Sequence, residues 1–248
     1  MPTKIILVFA FLFISKFGIC QSKVNAIIPS PDMEADYIWR NLQDIPFFDK
    51  NGYRIHLPKG QLISELVKKS KEGKLNDEDY PRLKSFVTDS VYNKEDYMAG
   101  YAKVVDALPI LEEMLQQIDP SKYSWNFKKF QEYSVVLTLY GPGGSYDPDM
   151  GSIILFTTTQ GKYKNYDNPT NTIIHEIVHM GIEASLIQKY NTPHTLKERI
   201  VDHFVSLYFG DVLKDYRIQD MGDYRIDPYL KNKGDISHLD TSIKTILE

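Results

Sequence analysis

The stretch HEIVH places His175, Glu176 and His179 at the spacing of a hydrolytic metal site. Two histidines four residues apart on a helix stand about one 5.4 Å turn apart on one face, so both imidazoles reach a single zinc ion at roughly 2.0–2.1 Å. Glu176 points about 100° round the helix from His175, beside the ligand direction, where a carboxylate can hold a water and act as general base. Ile173, Ile174, Ile177, Val178, Met180, Gly181 and Ala184 fill most of the remaining circumference. A surface helix keeps a broad polar face, so the narrow strip of His175, Glu176, His179 and Glu183 is expected to line a cleft. The competing reading of this short pattern is a buried helix with two satisfied histidines.

A third ligand must come from elsewhere, and Glu198 is the first candidate, nineteen residues past His179 on a second amphipathic helix with Leu196, Ile200, Val201, Phe204 and Val205 on its apolar side. Thr195 and Glu198 also form a capping-box pattern, in which the glutamate only satisfies a backbone donor. Asp202 weighs against that reading, because it lies one turn from Glu198 on the same face and paired acids repel without a cation beside them. His194, in the loop with Pro193, is the alternative ligand. Glu183 lies about 6 Å further along the axis than His179, which suits a contact to substrate or to a ligand. His56, His203 and His238 have no spacing partner and read as structural or solvated.

Residues 21–60, with four prolines and two glycines, read as a loop-rich lead-in. Helices are expected at 62–71, from the caps at 76–81 to about 90, and over 94–117 with Pro109 as a kink. Alternating β-branched residues then mark strands at 134–140 and 152–159, joined by the glycine-rich GPGGSYDPDMG, read as a hairpin connection. Asn168 and Pro169 supply the cap and first turn of the motif helix.

At 248 residues the chain suits one domain with its own core. Residues 5–14 are an unbroken apolar run behind Lys4, the form of a signal peptide over 1–20 with cleavage before Gln21. Ten residues fall short of the roughly 20 that span a bilayer, so no stable membrane anchor is expected after cleavage. Removing Lys4 and Lys16 with that segment takes the formal charge from −4 to −6, which disfavours nucleic acid as a partner. The only cysteine, Cys20, would leave as well, and an exported chain without disulfides leans towards a bacterial periplasm or secretion.

From His175 to Asp202 the chain resembles the gluzincin metallopeptidases, the thermolysin-like group, whose HExxH is followed by a glutamate ligand and often an aspartate four residues later. The metzincin pattern does not fit, since Ile182 and Ser185 stand where that group has a glycine and a histidine. The resemblance implies a zincin-like α+β fold, with a small, mostly antiparallel sheet, an active-site helix and a helical C-terminal lobe, the lobes being about 21–170 and 171–248. It implies one zinc held by His175, His179 and Glu198, a water activated by Glu176, and Asp202 bonded to a ligand histidine. It implies further that the strand ahead of the motif helix, Ser152, Ile153, Ile154, Leu155 and Phe156, pairs with a peptide or protein substrate. Tyr208, Tyr216 and Tyr224 are the candidates for an oxyanion donor. The expected function is an exported zinc peptidase; the alternative is a zincin scaffold that binds or assembles envelope components without catalysis.

Overall fold

A computed structural model describes residues 22–220 and 222–248. The apolar run and the expected cleavage point lie outside them. The fold is α+β, a four-stranded sheet with helices packed on it. No helix among the described residues is long and apolar enough to cross a membrane.

The lead-in is not a loop. It forms β1 (Lys23–Ile27), α1 (Pro31–Gln43) and α2 (Ile45–Asn51). Pro31 and Pro46 sit in the first turns of these helices, where a missing N–H costs nothing, and Ser30 caps α1 by accepting from the Met33 N–H. With α3 (Gln61–Lys71) and α4 (Tyr80–Phe86) they enclose a separate cluster around Ile38, Leu42, Leu66, Leu83 and Val87. α5 (Met98–Gln117) accommodates Pro109 inside the helix and crosses beneath the sheet.

β2 (Glu132–Thr138), β3 (Gly144–Asp147) and β4 (Ser152–Phe156) complete the sheet in the order β1-β2-β4-β3. The expectation of a mostly antiparallel sheet is corrected here, since β1–β2 and β2–β4 are parallel and only β3–β4 is antiparallel. The reason lies in the glycine-rich stretch. After β2 the chain crosses to the far edge and lays down β3 within what reads as a loop. It then turns at Asp147–Gly151 and returns between β2 and β3. Asp147 accepts from the Asp149 and Met150 N–H groups in that turn, and Gly151 takes φ +65°.

Alternation decides which face is buried. Tyr133, Val135 and Leu137 of β2 and Ile153 and Leu155 of β4 point to one side, in register, onto α5 and the helix α7 (Pro169–Ile182), which follows the short α6 (Lys164–Asp167). α8 (His194–Phe209) and α9 (Leu239–Leu247) close the same core from below.

Candidate metal centre

α7 starts as the sequence implies, with the Asn168 side chain accepting from the Thr170 N–H at 3.0 Å and Pro169 in the first turn. Its flanks are sealed. Ile173, Ile174, Ile177 and Val178 are fully buried, and Gly181 lies so close to Phe127 that a Cβ would stand 2.1 Å from the ring. The helix therefore cannot roll, and the strip with His175, Glu176 and His179 is set against α8. α8 itself begins at His194, with Pro193 as N-cap and no side-chain cap bond. Glu198 is thus one turn inside the helix rather than a capping-box member, and it points across to α7.

There His175 Nε2 and His179 Nε2 are 3.0 Å apart, and Glu198 Oε2 lies 3.5 and 3.3 Å from them. Ligands arranged tetrahedrally at roughly 2.0–2.1 Å from one ion stand about 3.3–3.4 Å from each other, so this triangle has the dimensions of three corners of a zinc site. Among the described residues, His175, His179 and Glu198 are the one group of histidines, cysteines and acids that could hold a metal ion. Charge fits as well, because the carboxylates of Glu176, Glu198 and Asp202 surround the two imidazoles.

That surround shows in the titration of the groups. Burial opposes a charge on His175, but its bonds to Asp202 and Glu198 outweigh burial and lift it to about 10. His179 goes the other way, to about 4, because burial dominates. Burial raises Glu176 to about 7. For Glu198 and Asp202 burial is again the largest single influence, yet the histidine bonds hold both carboxyls below their ordinary range.

The two rings are fixed differently. His175 Nδ1 meets the Tyr216 hydroxyl at 2.8 Å and Asp202 Oδ1 at 3.4 Å, and Tyr216 in turn donates to Asp202 at 2.7 Å. Asp202 takes a further bond from the Gln219 N–H at 2.9 Å. His179 instead stacks on Tyr146 of β3, with centroids 5.1 Å apart and planes 8° from parallel, while its Nδ1 is buried with no hydrogen-bond partner among the described residues.

Comparison with protein-family models, with curated proteins and with solved structures finds no match for this chain. The reading of the site therefore rests on its own geometry.

Beside the triangle opens a cavity of about 440 Å³, bordered by Gly144, Thr172, His175, Glu176 and Phe156 on one side and residues 215–220 on the other. The structure brings Tyr216 to this cavity but not the other two tyrosines named above. Tyr208 accepts from the Tyr123 hydroxyl and stacks on Phe204 in the core, and Tyr224 is exposed on the surface with Arg199 over its ring. Ser152, Ile153, Ile154, Leu155 and Phe156 are also displaced from their expected role. They form an inner strand paired on both sides, so the free edge next to the site belongs to β3.

Several residues at the site carry no local signal in the sequence. Tyr146 and Lys197 meet above His179, and Tyr53 reaches His194, whose Nδ1 lies 3.5 Å from the outer oxygen of Glu198. Gly144 had a signal, in the glycine cluster, but its role is close approach rather than a positive φ. A Cβ there would meet Glu176 Oε1 at 2.5 Å, so only glycine lets β3 lie against the carboxylate.

Proposed function

We propose that the protein is an exported, zinc-dependent hydrolase that cleaves peptide bonds in the manner of the gluzincin peptidases. The observation that carries this reading is the convergence of His175, His179 and Glu198 on one point with Glu176 beside them in the wall of a cavity. Export is supported by the apolar run at residues 5–14. His175, His179 and Glu198 would hold the ion, which when bound polarises a carbonyl and brings the pKa of a bound water to about 7.

The chain's own residues supply the remainder. Glu176, whose carboxyl burial raises in the metal-free site, stands beside the ligand triangle to take a proton from the attacking water and pass it to the leaving nitrogen. Asp202 and Tyr216 orient the His175 ring through its Nδ1. Tyr216 spends its phenol proton on Asp202, so it serves as a positioning residue. An extended peptide finds its unpaired backbone groups along β3, which borders both Glu176 and His179.

The test is metal content together with turnover. The mature protein is expected to hold one zinc per chain, and Glu176→Gln to keep that zinc while its hydrolysis of a mixed peptide library falls by about 10² to 10⁴. Absence of bound metal after zinc addition, or equal cleavage by parent and variant, sinks the reading.

A further inference from the structure

Two ties join the walls of the cleft, and neither borders the cavity. In the first, Lys197 of α8 donates to the Tyr146 hydroxyl of β3 at 3.2 Å, and that hydroxyl donates to Glu183 at 2.7 Å, with the ring lying on His179. In the second, Tyr53 meets His194 of α8 at 3.2 Å. Three residues later His56 exchanges two backbone hydrogen bonds with Gly141, at 3.0 and 2.8 Å, just ahead of β3. Segment 53–56 is thus fastened both to α8 and to the loop entering β3. None of Tyr53, Tyr146, His194 and Lys197 lines the cavity, whose volume of about 440 Å³ is that of a small-ligand pocket.

β3 gives the cleft a direction. It runs from Gly144, against Glu176 and the cavity, to Tyr146, over His179 at the first tie. A peptide added antiparallel, the commoner pairing, runs the opposite way. Its carboxyl-terminal part then enters the cavity and its amino terminus faces the ties. A longer chain would need room beyond Tyr146, where Lys197 crosses.

Building on the hydrolase reading, we infer that the cleft is closed at this end and that the substrates are peptides with a free amino terminus, cut within their first few residues. Water adds across the amide: the C–N bond breaks, hydroxide oxygen joins the carbonyl carbon, and its proton goes to the leaving nitrogen. Glu183 presents a carboxylate at that end, bonded to the Tyr146 hydroxyl at 2.7 Å, within reach of an incoming α-ammonium group.

One peptide sequence in three forms, free at both ends, amino-acetylated and carboxy-amidated, decides the matter. The zinc-loaded protein is expected to shorten the free and amidated forms from the amino terminus and to act at least about tenfold more slowly on the acetylated form. Binding of the same peptides to the metal-free protein, followed by fluorescence anisotropy, should weaken about tenfold on acetylation, a readout independent of turnover. Lys197→Ala combined with Tyr53→Phe opens the end and should raise internal cleavage of the acetylated peptide; the parent measurements carry the test if that variant folds poorly. Equal rates on free and acetylated peptides, or dependence on the carboxyl terminus, overturn the inference and leave hydrolysis standing. Selective binding of free amino termini without any hydrolysis supports the closed end and removes the hydrolase reading alone.

Discussion

α7 and α8 both carry residues of the candidate metal site, and they hold them by different physics. In α7, thirteen of fourteen residues are buried, and the ligand positions are fixed because the helix has nowhere to move. In α8 half of the sixteen residues are buried, and its site face is held by polar partners: His194 beside Glu198, Lys197 on Tyr146, and Asp202 between Tyr216 and the Gln219 N–H. Packing is insensitive to pH and intolerant of volume. Charge is the reverse, so the two halves of one site are expected to fail in different ways.

The largest effect should come from breaking the packed half. Gly181 faces Phe127, which is itself wedged among Trp125, Tyr123 and Phe204, so the ring cannot yield to a methyl group. Gly181→Ala is expected to cost about 3 kcal/mol, the upper part of the usual overpacking range, read as a shift in the denaturation midpoint. A change within about 0.5 kcal/mol would show that α7 is free to adjust and that packing does not fix its ligands.

A smaller and more local effect is expected on the polar half. Asp202→Asn keeps the shape but removes the charge that orients and supports His175, directly and through Tyr216. Zinc affinity measured by chelator competition near pH 10, where the proton that Asp202 holds on His175 no longer competes with the ion, should fall about 10- to 100-fold. An unchanged affinity would leave Asp202 as a structural partner of the 215–220 segment only.

How much of this was legible in the sequence follows the same division. HEIVH was readable because its chemistry needs only a helix and a four-residue spacing, and the apolar neighbours betrayed an enclosed strip. Glu198 was half readable, since the same residue fitted a cap until the helix start at His194 removed that role. β2 and β4 showed by alternation, but their parallel pairing depended on β3, a short strand hidden among glycines and aspartates that spell a turn. β1 and α1 are hidden in the sequence because a proline has the form of a break even where it occupies a first-turn position. Tyr146, Lys197 and Tyr53 leave no trace in the sequence pattern. Their contacts span 51 and 141 residues of chain, and no local pattern encodes such distances.

The smallest expected effect separates the two histidines themselves. His175 is raised from 6.5 to about 10 by its acidic partners, so in the metal-free protein it stays protonated through the neutral range; His179, lowered to about 4, is already neutral there. A ligand nitrogen must lose its proton before it can bind an ion. At pH 8, above the value of about 7 for Glu176, zinc binding should therefore release about one proton per chain from His175 and none from His179, beside the one lost by a bound water brought to about 7, measurable by calorimetry in buffers of different ionisation enthalpy. Zinc affinity should keep rising about a hundredfold per unit between pH 7.5 and 9.5, one tenfold step from His175 and one from the bound water, whereas two ordinary histidines would leave only the water's tenfold. The metal-free fold should show the opposite sign. A group whose folded pKa lies above its unfolded one contributes fully below about 6.5, and that contribution is lost as the pH rises through about 10, so the metal-free melting temperature should decline over the interval in which zinc binding strengthens. A rise of only about tenfold per unit from pH 7.5 to 9.5 would mean that the carboxylates around His175 do not hold its proton, and that α8 sets the site by shape, as α7 does.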